Sequence, residues 1–214
     1  MSLINYKILF WDFDGVIKES FSVKTDAFVE LFKPYGKVVF NKVKKHHINN
    51  AGMSRFDKIP LYLKWSGIKY NKIKIDEMCL KFSDLVKNKV INSAWVPGVK
   101  VFLKKNKKTC RNVIVSATPQ SELEDICKSL NIFDYFSEIY GAPTTKSYAI
   151  KTCMQLHKIP PEKCLMFGDA LADIKAAKKN NINFIFRRHE QNQSLRIDNT
   201  VQVIDDFNNF HIII

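Results

Sequence analysis

The chain has 214 residues, 46% of them hydrophobic and 26% charged, enough for one full domain or one domain with a modest insert. That balance excludes a disordered or fibrous chain, and no apolar run approaches the roughly 20 residues that a bilayer-spanning helix needs. The net charge of +13 rests on 29 lysines against 5 arginines, a poor mixture for bidentate phosphate reading; an AT-rich genome accounts for it, and nucleic acid is an unlikely partner. The charge is nonetheless uneven, because residues 18–92 hold 16 Lys/Arg and 7 Asp/Glu, leaving only +4 for the rest. The first apolar stretch, Ile8-Leu9-Phe10-Trp11, is broken by Asp12 and Asp14 with no small-residue cleavage site after it, so no signal peptide is expected. Five cysteines without a Cys-x-x-Cys pair predict reduced thiols and a cytoplasmic protein.

In chain order, Tyr6 to Phe13 reads as a buried strand. A helical pattern then runs from just after Gly15 to about residue 92, too long for a loop in a compact domain. It predicts an inserted helical domain of about four helices, divided at Lys33-Pro34-Tyr35-Gly36, Asn49-Asn50-Ala51-Gly52 and Ser66-Gly67. Pro97-Gly98 opens a helix to about Lys107, followed by a strand at Asn112 to Val115. Thr118 is expected to cap a helix with Pro119 at its first position, running through Leu130. A weaker strand at Glu138 to Tyr140 precedes a helix from about Thr145 to His157. Strands at Lys163 to Phe167, Asn183 to Phe186 and Thr200 to Ile204 complete the pattern, with a helix from Leu171 to Lys179 between the first two. The terminal His211-Ile-Ile-Ile is expected to pack on the core. Strands alternating with helices of this length predict a parallel, doubly wound, Rossmann-like α/β sheet covered on both faces. The domains expected are a core of residues 1–17 and 93–214 and a helical cap of residues 18–92.

The chemistry-bearing residues fall at strand ends. Asp12 and Asp14 close the first strand, and two acids at the mouth of an apolar strand are costly unless a cation or a reaction needs them. Ser116 ends the second strand just before a helix N-terminus, where free N–H groups favour anions. Asp169 ends the fourth, with Asp173 one helical turn on. Lys146 lies between. In doubly wound sheets ligands bind at the carboxyl ends of the strands, so these residues converge on one site of oxygen ligands, a hydroxyl and one amine.

Asp12-Phe13-Asp14-Gly15-Val16, Ser116 in Val-Ser-Ala-Thr, Lys146 in Gly-Ala-Pro-Thr-Thr-Lys and Gly168-Asp169-Ala-Leu-Ala-Asp173 stand in the order of the four motifs of the haloacid dehalogenase superfamily, which the chain resembles over its whole length. The insert resembles the C1 cap of the phosphoglycolate phosphatase and beta-phosphoglucomutase group. The resemblance implies that Asp12 is the nucleophile forming an aspartyl-phosphate, and that Asp14 is the general acid and then the base. It implies Mg2+ held by Asp12, the Asp14 backbone carbonyl and Asp169, with Asp173 in support, and a phosphoryl group bound by Ser116, Ala117 and Lys146. The acid at Asp14 separates the chain from the dehalogenase branch, whose halide leaves without a proton. Lys146-Ser147-Tyr148 in place of Lys-Pro, and Asn180-Asn181 in place of Ala-Gly, depart from the group without touching the chemistry.

In the cap, Gly52-Met53-Ser54-Arg55 resembles the segment that presents an Arg to a distal phosphate, and Lys18 stands where it could face the site from the hinge. His46 and His47, being adjacent, make a poor metal pair and read as surface or cap packing. The run Lys104-Lys105 with Lys107-Lys108 reads as a solvated face. The expected activity is phosphatase action on a small phosphate monoester, as a monomer or homodimer. A phosphomutase and an anionic-polymer binder are the alternatives.

Overall fold

The computed structural model describes residues 6–208 and residue 210; the expectation for His211 to Ile214 lies outside them. Six strands, β1 (Ile8–Trp11), β2 (Arg111–Pro119), β3 (Glu138–Ala142), β4 (Cys164–Gly168), β5 (Asn183–Arg187) and β6 (Gln202–Ile204), form one parallel sheet in the order β3-β2-β1-β4-β5-β6. The expected Rossmann-like core is what forms. Strand β1 lies between β2 and β4, with Trp11 opposite Ile114 on one side and Phe167 on the other.

Why both faces are covered follows from alternation along the strands. Ile8, Phe10, Val113, Val115, Cys164 and Met166 point to one face, against Ala149, Ile150, Cys153, Ala176 and Ala177. The latter belong to α7 (Lys146–His157) and α8 (Leu171–Lys179). Leu9, Trp11, Ile114, Leu165 and Phe167 point to the other face, against Val99, Phe102, Leu103, Leu123 and Ile126 of α5 (Val99–Asn106) and α6 (Gln120–Ser129). Trp11 stacks on Phe167 with ring centroids 4.5 Å apart and donates its Nε1–H to Asn112 Oδ1 at 3.1 Å. Truncating so central a side chain to Ala costs about 3–5 kcal/mol.

Between β1 and α5 the chain forms four helices, α1 (Phe21–Phe32), α2 (Lys37–Asn49), α3 (Arg55–Trp65) and α4 (Lys72–Asn92). The three predicted turns separate them, the first as a short 3-10 turn at Lys33–Tyr35. Phe28, Phe32, Tyr62, Phe82 and Val86 fill the interior of this helical cap, and that interior is continuous with the sheet face bearing Trp11. Among the described residues no helix is long and apolar enough to cross a membrane.

Two local expectations need correction. β2 continues to Pro119, whose extended conformation (φ −54°, ψ 143°) leaves it as the cap of a helix that starts at Gln120. Thr118 is therefore strand, not helix cap, and its hydroxyl is free to face the first strand. β1 ends at Trp11 rather than Phe13, because the chain turns: the Ile17 N–H donates to Phe13 O at 2.9 Å and the Gly15 N–H to Lys18 O at 2.8 Å. At the end of α8 the substitution of Asn for Gly is absorbed as expected, with Asn181 in the left-handed region at φ 54°.

Candidate active site

The turn after β1 is fixed by Gly15, which sits at φ +78° and so close to the end of β4 that a Cβ would lie 2.2 Å from Asp169 Oδ2. Only glycine satisfies both conditions. Arg187 at the end of β5 donates to the Gly15 carbonyl at 3.2 Å, tying the turn down.

This geometry gathers Asp12, Asp14, Lys146 and Asp169 around one cavity of about 50 Å3, closed on the opposite side by Phe21, Lys24, Phe28, His47, Arg55 and Lys58 of the cap. The Lys146 Nζ lies 2.7 Å from Asp12 Oδ2 and donates to Asp173 Oδ1 at 2.5 Å. The other Asp173 oxygen accepts the N–H groups of Asp169 and Ala170 at 3.2 and 3.0 Å. With both oxygens occupied, Asp173 positions Lys146 and the β4–α8 turn. Ser116 is buried, and its Oγ accepts the Thr118 N–H at 3.2 Å. Ser116 and Ala117 also line an adjoining groove of about 340 Å3, which runs from Gly52–Ser54 and Asp57 past Lys146 to Lys175 and Lys179.

Asp14 faces away from Asp12 into a different set of donors. Ser20 Oγ donates to its Oδ1 at 2.6 Å, Thr118 Oγ1 to its Oδ2 at 3.3 Å, and Lys24 Nζ pairs with the same oxygen. Burial pushes this carboxyl upward, but the Lys24 ammonium and the Lys24 and Ser20 hydrogen bonds outweigh it, so Asp14 is held below its ordinary pKa. Asp12 goes the other way. Burial, with the charges of Asp173 and Asp14, outweighs Lys146 and raises it to about 7. Asp169 and Asp173 are also raised, burial first. These directions run against the roles that the resemblance implies, an ionised Asp12 and a protonated Asp14 in the first step, because the excess negative charge buried around Asp12 has only Lys146 beside it while Asp14 has Lys24 to itself.

Asp12, Asp169 and Asp173 bring carboxylate oxygens within 4.8 Å of one another, all three buried. Lys146 contacts only Asp12 and Asp173, so one lysine against three carboxylates leaves excess buried negative charge. A hard divalent cation with oxygen ligands is the chemistry that such a donor set fits.

Three residues of the site carried no sequence signal that singled them out. Lys24 and Lys58 come from cap helices, and His189, just past β5, bonds Asp169 Oδ2 through Nε2 at 2.8 Å. A polar residue just beyond the carboxyl end of a strand was the one available sign of His189. Lys58 is 1% exposed, its Nζ against His47 Nδ1 at 2.9 Å and the Ala51 carbonyl at 3.4 Å. Burial and the nearby Lys24 charge lower it to about 7. His47 thus lines the cavity, while His46 bonds Tyr62 OH at 3.0 Å.

Two cap expectations are corrected. Lys18 does not face the site: its Nζ donates to Ile91 O at 3.0 Å and sits 4.3 Å from the Trp95 ring centroid. Arg55 reaches the cavity wall but is already paired. Its guanidinium donates to both carboxylate oxygens of Glu122 on α6 at 2.8 and 2.6 Å, and to Ser83 Oγ at 2.6 Å.

A Rossmann-type sheet order, acids at the ends of β1 and β4, a serine where the regular pairing of β2 breaks off, a lysine at the head of α7 and a helical lid over them define a capped α/β enzyme. Residues 8–186 match the haloacid dehalogenase-like hydrolase family, and the chain belongs to it. It is 24% identical over 189 residues to a phosphorylated carbohydrates phosphatase of Thermotoga maritima, 82% of each chain being covered. Among solved structures it is similar to a beta-phosphoglucomutase from Clostridium difficile, with a TM-score of 0.76 at 19% identity over 96% of this chain and 93% of that one. CbbY from Rhodobacter sphaeroides, solved as a mutant with xylulose 1,5-bisphosphate, gives a TM-score of 0.76 at 14% identity over 95% and 96%.

Proposed function

We propose that the protein is a Mg2+-dependent phosphatase of a small phosphorylated carbohydrate, polyol or glycolate, working through an aspartyl-phosphate on Asp12, with residues 18–92 as its cap. The observation that carries this reading is one cavity holding Asp12 beside Lys146 and Asp14 in its own set of donors. An Asp12 oxygen attacks phosphorus, the bond to the leaving oxygen breaks, and Asp14 gives that oxygen its proton. Water then attacks the phosphorus of the acyl phosphate, Asp14 takes the proton, and inorganic phosphate and the Asp12 carboxylate are regenerated. The Lys24 contact holds Asp14 unprotonated, which is the form the second step uses; the first step requires that contact to part. In this reading Ser116, the Ala117 amide and Lys146 receive the equatorial oxygens. Mg2+ held by Asp12, the Asp14 carbonyl and Asp169 would neutralise charge on the same oxygens.

Lys58, buried without a carboxylate partner among the described residues and lining the same cavity as Asp12, supports a substrate with a second anionic or strongly polar end. That feature also favours a second reading, a phosphomutase, which must hold two phosphorylated positions in turn. Both are tested by assaying phosphate release with Mg2+ and with EDTA across sugar, polyol, glycolate and nucleotide monophosphates. Metal-dependent release from one small group is expected; a phosphorylated isomer without phosphate release would establish the mutase, and neither product would overturn both.

A further inference from the structure

A second group of metal-ligating side chains lies on the far side of the sheet edge from the proposed chemistry. Glu138 opens β3, the edge strand. Cys153 and His157 stand four residues apart on α7, hence on one face of that helix. His157 Nε2 lies 2.5 Å from Glu138 Oε1. One donor atom from each of the three falls within 4.8 Å of the others. The second Glu138 oxygen accepts the Tyr140 hydroxyl at 2.6 Å, the kind of outer contact that orients a ligating carboxylate. Cys153 is fully buried, while the Glu138 and His157 side chains keep 19% and 18% of their surface exposed, which gives an ion a route in and a solvent-facing fourth position.

We propose that Glu138, Cys153 and His157 form a second metal site, selective for a zinc-type ion. The donor set of one sulfur, one imidazole nitrogen and one carboxylate oxygen suits tetrahedral Zn2+ and not Mg2+, which demands octahedral oxygen. Sulfur–metal contact at about 2.3 Å and nitrogen or oxygen contact at about 2.0–2.2 Å requires the Glu138–His157 pair to open around the ion and the three donors to converge on it from their mutual separation within 4.8 Å. Binding releases the thiol proton of Cys153 to solvent and moves the imidazole proton from Nε2 to Nδ1, so at least one proton leaves per ion. The ion would pin α7 to β3. Lys146 begins that helix two turns before Cys153, so an occupied site fixes the helix that presents the lysine to Asp12.

The test uses whole, chelator-treated protein in excess Mg2+, titrated with Co2+ as a spectroscopic substitute for Zn2+. One equivalent of Co2+ should give a thiolate-to-metal charge-transfer band, displaced by Zn2+, with proton release seen by a pH indicator in the unmutated protein. Cys153→Ser should abolish the band, and His157→Gln should weaken Co2+ binding at least tenfold, with circular dichroism confirming that both variants fold. Binding without a thiolate band, a band that survives Cys153→Ser, or one lost instead in Cys164→Ser would overturn the proposal. So would unmutated protein that takes up no Co2+ in excess Mg2+.

Discussion

Arg55 and Glu122 join the cap to the core through a buried, two-pronged ion pair, and its loss is the most quantitative expectation the structure gives. The pair is 4% and 7% exposed, its two hydrogen bonds are 2.8 and 2.6 Å long, and the guanidinium lies 4.5 Å from the Phe82 ring centroid. Removing either partner leaves an uncompensated buried charge, at a cost of about 3–5 kcal/mol. The sum of two charge-assisted hydrogen bonds at about 1.5–3 kcal/mol each gives the same range. Arg55→Met and Glu122→Leu should each lose that much by urea unfolding, a factor of roughly 10² to 10⁴ in the folding equilibrium. The double variant replaces the pair with apolar surface and should recover most of the loss, so the double-mutant cycle should show several kcal/mol of coupling. Single losses under about 1 kcal/mol, as for a solvent-exposed pair, or strictly additive losses in the double variant, would refute the reasoning.

Asp12→Asn should cut hydrolysis by at least about 10³-fold, yet leave the metal-free melting temperature unchanged or higher, because burial disfavours the carboxylate it removes; retained turnover would sink the nucleophile assignment. Lys58 faces His47, Lys24 and Asp14 and is depressed to about 7 from 10.5. Between those values the unfolded chain binds the extra proton, so this site's contribution to stability rises with pH, and its penalty is complete below about pH 7. Lys58→Met should therefore raise the melting temperature at about pH 6 and lose that advantage near pH 10, whereas an equal gain at both would contradict it. Gly15→Ala would drive a Cβ into Asp169, so its Mg2+ activation curve should shift at least tenfold to higher concentration; an unshifted curve would argue against Asp169 as a ligand.

Much of the fold was legible because a parallel strand buried on both faces writes itself as an unbroken apolar run, as in Ile8 to Trp11 and Cys164 to Phe167. Asp12, Asp14, Ser116, Lys146 and Asp169 were legible for a related reason: each is a polar residue at the point where such a run or a helix begins or ends. Thr118 was misplaced because hydroxyl-then-proline reads as a helix start, and nothing local shows that β2 continues through it. Lys18 and Arg55 were placed by nearness in sequence to a motif, which does not reveal that Ile91 and Glu122 hold them. Lys24, Lys58 and His47 reach the cavity that holds Asp12 only through the packing of α1, α2 and α3, and no periodicity records which face of a cap helix turns toward the core.

The sizes of the two adjoining spaces set how the molecule must work in time. A chamber of about 50 Å3 has room for roughly four waters by volume, fewer than the atoms of a sugar phosphate displace. The larger groove touches it along Gly52, Met53, Ala117 and Lys146, so a shut lid divides a substrate into a reacting head and a trailing body. A substrate larger than the chamber then reaches Asp12 by way of that groove or by displacement of the cap. Any swing of the cap away from α6 would have to part the Arg55–Glu122 link, so a dependence of kcat on solvent viscosity would show whether that motion, and not the chemistry, paces turnover.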